Sequence, residues 1–220
     1  MSIRLTSLCF FLILLNSGYG QQDTLAKYGP GFRFKDGIYL DAGNFRDNCP
    51  VYAMDEVYND KGTKRGELDP KEDFYVMPED SLIKLPFDSI WGICENGQVF
   101  VQHNTAFDRL IVVGKLCHII HREEVIDYNS NIGMGVSSVP VRREVQVEYL
   151  IDLDSEEKVT FTPENLLHHM QDDHVLYRSF AGLSKKDRRK SLYEFLHRYN
   201  NDNPIYFLIS GCHIKKVPQE

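Results

Sequence analysis

Apolar and polar positions alternate with a period of two through most of this chain and then switch to a helical period. Residues from about 32 to 161 read as strands, and residues from about 162 to 200 as helices. A short apolar tail, 205–209, reads as a strand again. The clearest alternation sets Val145, Val147, Tyr149 and Ile151 against Gln146, Glu148 and Asp152, the mark of a half-buried strand. A turn over 154–157 and a return strand over 158–161 follow. Earlier, Asn96-Gly97 separates two apolar runs, and both positions of a type I′ turn require positive φ, which this dipeptide tolerates. A two-residue loop there places Ile93 opposite Phe100 and Cys94 opposite Val99, with Trp91 on the face of Ile93 and Phe100. Further strands are expected over 37–40, 51–57 and 73–77, and two within 109–121. Residues 59–70 and the Gly- and Ser-rich 129–138 read as loops.

The helical part carries its own punctuation. Thr162-Pro163-Glu164 supplies an N-cap, a proline at the first helical position and an acid in the first turn. Leu166, Leu167 and Met170 then face the core. Asp172 or Asp173 caps a second helix bearing Leu176, Phe180 and Leu183, which Gly182 helps to end. Ser184 with Asp187 resembles a capping box at the head of a third helix running to about Tyr199. Leu192, Phe195, Leu196 and Tyr199 form its buried stripe. Asn200-Asn201 is expected to take a left-handed turn at its end, before Pro204.

These patterns predict an α+β fold: a mainly antiparallel bent sheet or small barrel, followed by two or three C-terminal helices and a final short strand. Residues 32–220 make a single domain, β-rich over 32–161 and helical over 162–220, with 205–209 expected to return to the sheet. Residues 21–31 form a lead-in in which Gly29-Pro30-Gly31 breaks any regular element.

The first twenty residues follow a different logic. Arg4 precedes the short charge-free run Leu8-Cys-Phe-Phe-Leu-Ile-Leu-Leu15, and Gly18-Tyr19-Gly20 puts small residues where a signal peptidase reads. Residues 1–20 are therefore expected to be a signal peptide cleaved after Gly20, and the protein to be periplasmic or secreted. The run is shorter than the roughly 20 apolar residues a membrane span needs. No transmembrane segment is expected after cleavage, since the best later run, 110–120, is interrupted by Lys115.

Cleavage removes Arg4 and moves the net charge from −7 to −8. That acidity argues against nucleic acid or an anionic membrane surface as a partner. Cys49, Cys94, Cys117 and Cys212 remain, enough for two disulfides in three connectivities, or for four buried thiols. Cys94–Cys117 is the first pair to consider, because both lie on expected strands close in sequence. The wide spacings contain no Cys-x-x-Cys and exclude a zinc ribbon or thioredoxin-type site.

Several short stretches carry a resemblance. They are Asp36-Gly-Ile-Tyr-Leu40, Phe45-x-x-Asn48-x-Pro50, Trp91-Gly-x-x-x-Asn96-Gly-x-Val-Phe-Val101, Leu183-Ser-Lys-Lys186 and Arg198-Tyr-Asn-x-x-Asn203-Pro-Ile-Tyr206. Together they resemble a group of uncharacterised exported proteins from Bacteroides-type gut bacteria, over most of the mature chain. The resemblance implies a cell-envelope location and brings no activity or functional residues with it. Trp91-Gly92 with Asn96-Gly97 is also similar to one unit of the WG β-repeat, but a single unit makes no repeat.

The chemistry-bearing clusters are few. His169 with Asp173, and His168 with Asp172, stand four apart and on a helix would share a face, as metal ligands do. Capping by the two aspartates and solvation of His168 explain the same residues. His118 and His121 lie three apart on a strand and should face opposite ways. Ile132-Gly-Met-Gly-Val-Ser-Ser138 is glycine-rich but leads into a strand and lacks the Lys of a phosphate loop. Lys185, Lys186, Arg188, Arg189 and Lys190 form a basic cluster, either a solvated face or a dock for an acidic partner or glycan. Tyr52, Tyr58 and Tyr75 are candidate sugar-stacking rings, with packing in the sheet as the plainer role. No catalytic, cofactor-binding or metal residue is assigned, and no cofactor is expected. The expected function is that of an exported bacterial envelope protein with a non-catalytic binding or structural role, whose partner is an envelope protein or glycan. The alternative is an envelope hydrolase acting on glycan or peptide.

Overall fold

The computed structural model describes residues 24–64, 73–77, 81–128, 140–210 and 212. The proposed cleavage site and the glycine-rich 132–138 lie outside them. Among the described residues, thirteen strands and five α-helices form an α+β fold whose centre is an eight-stranded antiparallel sheet. In spatial order its strands are β12 (Lys158–Thr160), β11 (Pro140–Asp152), β10 (Leu116–Tyr128), β9 (Ala106–Val112), β8 (Gln98–His103), β7 (Gly92–Glu95), β2 (Gly37–Tyr39) and β3 (Tyr52–Ala53). From β7 to β12 each strand pairs with its sequence neighbour, so consecutive hairpins build the sheet.

The Asn96-Gly97 hairpin forms as its sequence predicts. Both turn residues have positive φ, 53° and 73°, and the register pairs Ile93 with Phe100 and Cys94 with Val99. Asp36 braces the turn by accepting from the Gly97 N–H at 3.0 Å. Trp91 departs from its expected face. It precedes β7 and stacks on Phe45 at 4.8 Å, whereas Ile93 joins the opposite cluster with Ile38 and Phe107. Regular alternation starts only at Gly92, so the two-residue rule does not reach back to Trp91.

The sheet is strongly bent. Lys158 on β12 donates to the Gln102 carbonyl on β8, four places away in the strand order, and at the surface Arg46 of the segment after β2 meets Asp154 of the turn after β11 at 3.1 Å. The inner face holds Phe34, Tyr39, Phe45, Trp91, Cys117, Ile119, Ile151 and Phe207. A small three-stranded sheet covers another face: β4 (Val57–Tyr58), β5 (Phe74–Val76) and β6 (Ile83–Leu85). The expected strand over 51–57 is thus split, because a 3-10 turn at Met54–Glu56 sends its two halves to different sheets.

Helices α2 (Pro163–His169), α3 (His174–Ala181), α4 (Lys185–Lys190) and α5 (Leu192–Asp202) bury Leu166, Met170, Leu176, Phe180, Phe195, Leu196 and Tyr199 against Val112, Leu116 and Leu150 of the sheet. The caps are those expected: Thr162 accepts from Asn165, Asp173 from Leu176 and Ser184 from Asp187. The expected third helix is two helices, divided at Ser191, whose backbone takes φ −100° and ψ 9°. Asn200-Asn201 is no left-handed cap either, since α5 continues to Asp202.

Asn200 instead acts as a surrogate strand. Its Oδ1 accepts from the Leu116 N–H at 3.0 Å, and its Nδ2 donates to the Leu116 carbonyl at 2.8 Å. Gly114 makes room for it: a Cβ there would stand 2.3 Å from Asn200 Cγ. Leu116 is fully buried. An Asn200→Leu substitution should therefore strand a buried donor and acceptor and cost about 2–3 kcal/mol, read as a lower urea midpoint at unchanged slope.

The tail does not join the large sheet as expected. β13 (Tyr206–Leu208) pairs antiparallel with β1 (Leu25–Lys27), a strand inside the lead-in where none was expected. Beside them α1 (Ala42–Arg46), capped by Asp41, leads into Asn48 in the left-handed region at φ 46°. Asn48 is buried and ties three segments: it accepts from the Lys35 N–H at 2.9 Å and the Tyr39 hydroxyl at 3.3 Å, and donates to the Leu208 carbonyl at 3.1 Å. Its neighbour Cys49 is disulfide-bonded to Cys212. The Cys94–Cys117 pairing is not formed, and both of those cysteines are buried free thiols.

Candidate functional site

Strand β10 sorts its side chains onto two faces, and each face gathers titratable groups. His118 and His121 do point opposite ways: His118 packs on Phe161 and Tyr193, and His121 on His103 and Tyr149. On the inner face, five adjacent strands converge at one end of the bent sheet. They bring together His103 (β8), Asp108 (β9), His121 and Glu123 (β10), Tyr149 (β11) and Lys158 (β12).

His121 Nδ1 lies 2.7 Å from Asp108 Oδ2. A carboxylate only accepts, so Nδ1 carries the proton and Nε2 is the basic nitrogen of this dyad. The His103 ring sits 4.9 Å from that of His121 and 4.3 Å from that of Tyr149. Tyr149 donates to Glu123 at 2.8 Å, and this bond, more than burial, raises its pKa. Burial, seconded by His121 and Lys158, pushes His103 down to about 4, so it is neutral at pH 7. Its Nε2 is buried without a hydrogen-bond partner. Burial also raises Asp108 against the pull of His121 and lowers Lys158. The cluster is an oriented imidazole among groups that hold one another, on rigid strands.

The outer face carries a smaller network beneath the helices. Tyr193 donates its one proton to Glu148 at 2.9 Å, so His118 Nε2–H donates to the Tyr193 oxygen at 3.2 Å. Burial lowers the pKa of His118, and its Nδ1 is left without a partner.

The metal pairs read from the sequence are not assembled. Helix α2 ends at His169, so both aspartates lie beyond it. His169 Nδ1 meets Asp152 at 3.2 Å, Asp173 caps α3, and Asp172 takes Lys115 at 2.6 Å and the Tyr199 hydroxyl at 3.0 Å. Among the described residues no group of three or more His, Cys, Asp or Glu is placed to hold a metal ion. The basic cluster occupies the six-residue α4, where Lys185, Lys186, Arg189 and Lys190 are exposed and Arg188 is half-buried. Tyr52, Tyr58 and Tyr75 are half-buried between strands, with Tyr58 paired to Tyr75. The thiols are held inside as well. Cys94 donates to Asp36 and Cys117 to the Gly114 carbonyl, each at 3.4 Å, and burial raises both, Cys117 to about 12.

The sequence reading missed the inner-face cluster because its members are ordinary residues spread from position 103 to 158. The available signal was period: His121 and Glu123 continue the inward stripe of Cys117 and Ile119 on β10.

A second feature begins where the cluster ends. Strands β10 and β11 pair over thirteen register positions, from Leu116–Asp152 to Tyr128–Pro140. β9 pairs with β10 at His118 and Ile119 and still sets Asp108 against His121, and β12 pairs with β11 at Tyr149–Ile151 before Phe161 bonds Glu148. The rest of the hairpin is a two-stranded arm, and Arg122, Glu124, Arg142, Arg143 and Glu144 line a shallow cavity of about 280 Å³ on it. Among the described residues no helix is long and apolar enough to cross a membrane. In comparisons with known proteins, the chain matches no protein family, no curated protein and no solved structure.

Proposed function

We propose that this is an exported bacterial envelope protein that works by binding, with the β10–β11 arm as its contact surface. The arm carries the reading: it leaves the sheet as a two-stranded ribbon, exposed along Pro140–Glu144 of β11, where a protein partner can add a strand. The cystine between Cys49 and Cys212 supports export, because disulfides persist in oxidising compartments. The non-catalytic role draws support from where the reactive groups are spent. Asp41 and Asp173 cap helices, Asp172 pairs with Lys115, and both free thiols are buried with raised pKa. The Asp108–His121 dyad favours the second reading, a hydrolase acting on envelope glycan or peptide, with His121 Nε2 as general base.

The test is expression of the full chain in a bacterium, followed by fractionation, intact-mass measurement and assay. The protein is expected in the exported fraction, beginning at Gln21 and lighter than the reduced chain by the two hydrogens of one cystine. A full-length chain retained in the cytoplasm overturns export. Turnover of peptidoglycan or a peptide library that His121→Ala abolishes overturns the binding role in favour of the hydrolase.

A further inference from the structure

We infer that the occupant of the arm is a second copy of this chain, joined edge to edge along β11 in a two-fold antiparallel pair. The inference rests on the binding role proposed above and names the partner.

The orientation of the edge is fixed by its base. The Phe161 N–H donates to the Glu148 carbonyl at 2.8 Å, so Glu148 turns its backbone groups away from β10. With a period of two, Gln146, Glu144 and Arg142 do the same. No described strand lies against this stretch. In the free chain the register sets Glu124 directly opposite Glu144, an unfavourable cross-strand pair. Among the described residues two exposed diagonal contacts offset it, Arg122–Glu144 at 3.7 Å and Arg142–Glu124 at 3.6 Å.

A two-fold axis beside Arg143 resolves this placement. Antiparallel pairing about that residue sets Arg142 of one copy opposite Glu144 of the other, twice, at positions whose backbone groups already face outward. Each Glu144 then has an arginine on the side away from Glu124. On the other face Val141, 49% exposed, meets Val145 of the second copy. Arg143 itself would face its mate at the axis, and it already has an interaction within its own chain. Pro140, which has no N–H, ends the pairing before a further donor is needed. The edge is self-complementary at the two Arg142–Glu144 pairs, in the Val141–Val145 contacts and in hydrogen-bond direction, as an isologous interface requires, with the Arg143 pair at the axis opposing it.

Sedimentation equilibrium and light scattering on the purified full-length mature chain, over a dilution series, test this. The expected result is a reversible dimer. Arg142→Glu or Glu144→Arg alone should weaken it by about tenfold or more. The double exchange R142E/E144R restores the complementary pairs and should restore the dimer. These side chains are exposed, so circular dichroism should show all variants folded. A chain that stays monomeric at every concentration overturns the second copy as occupant while leaving the binding role standing. So does a dimer indifferent to Glu144→Arg. Failure of the binding role reads out separately, as the His121-dependent turnover described above. Capture of a different protein or a glycan on a monomeric arm would name another occupant and overturn this one.

Discussion

Replacing Cys49 and Cys212 together by serine will lower the stability of the protein by about 3–5 kcal/mol. The bond closes a loop with a sequence separation of 163. In the chain-entropy model a loop of that length restricts the unfolded ensemble by roughly 5 kcal/mol, and native packing changes little when the bond is lost. The neighbouring ties explain why the native state survives. Asn48 still holds Lys35, Tyr39 and Leu208, and β1 still pairs with β13. The effect should therefore appear mainly in the unfolded state. Urea unfolding of the wild type with and without reductant, beside the double serine variant, checks it. Reduction and substitution should shift the midpoint alike, and a shift below about 1 kcal/mol would remove the cystine from the list of main stabilisers.

The second large effect is acid sensitivity. His103 has a pKa of about 4 in the folded chain, against an unperturbed value near 6.5. Between those values the unfolded chain binds a proton that the folded chain refuses. Stability is therefore full above pH 6.5 and declines as the pH falls to about 4, by roughly 3 kcal/mol for this group. His118, also lowered by burial, acts in the same direction. Asp108 acts against it. Its raised pKa makes its charged form a cost at neutral pH, and protonation relieves that cost at the acid end. The net expectation is a midpoint that falls steadily from pH 7 to pH 4.5. His103→Phe keeps a ring against Tyr149 and removes the proton, so it should flatten the decline. A wild type equally stable at pH 7 and pH 4.5 would show that His103 is not held neutral.

Much of the fold follows from local rules, and the misses share a cause. The Asn96-Gly97 hairpin and the Thr162, Asp173 and Ser184 caps depend on neighbours in sequence, and they form as read. Trp91, Asn200 and Cys212 depend on distant partners, and local patterns cannot name those. Asn200 resembles a helix terminator until Leu116 is beside it. Cys94 and Cys117 are near in sequence and lie on β7 and β10, two strands that are not neighbours in the sheet. The candidate site shows the same limit. Its six groups meet only because the sheet bends enough for Lys158 to reach Gln102.

The clasp of β1, β13 and the cystine also determines how the molecule would carry load. Tension applied between residue 24 and Cys212 runs along the chain only as far as Cys49 and then crosses the sulfur bridge. Helices α2 to α5 and every strand of the large sheet except β2 follow Cys49 and belong to the covalent loop outside that path, whereas β2 and α1 lie on the loaded segment. Pulling can strip β1 from β13 and then draw β2 out from between β7 and β3, but the covalent path does not enter the arm or the strands of the inner-face cluster until the bridge is reduced. Tethered near either end, the chain would thus keep the arm and β8 to β12 off its covalent load path, with thiol redox chemistry deciding when that path lengthens to include them.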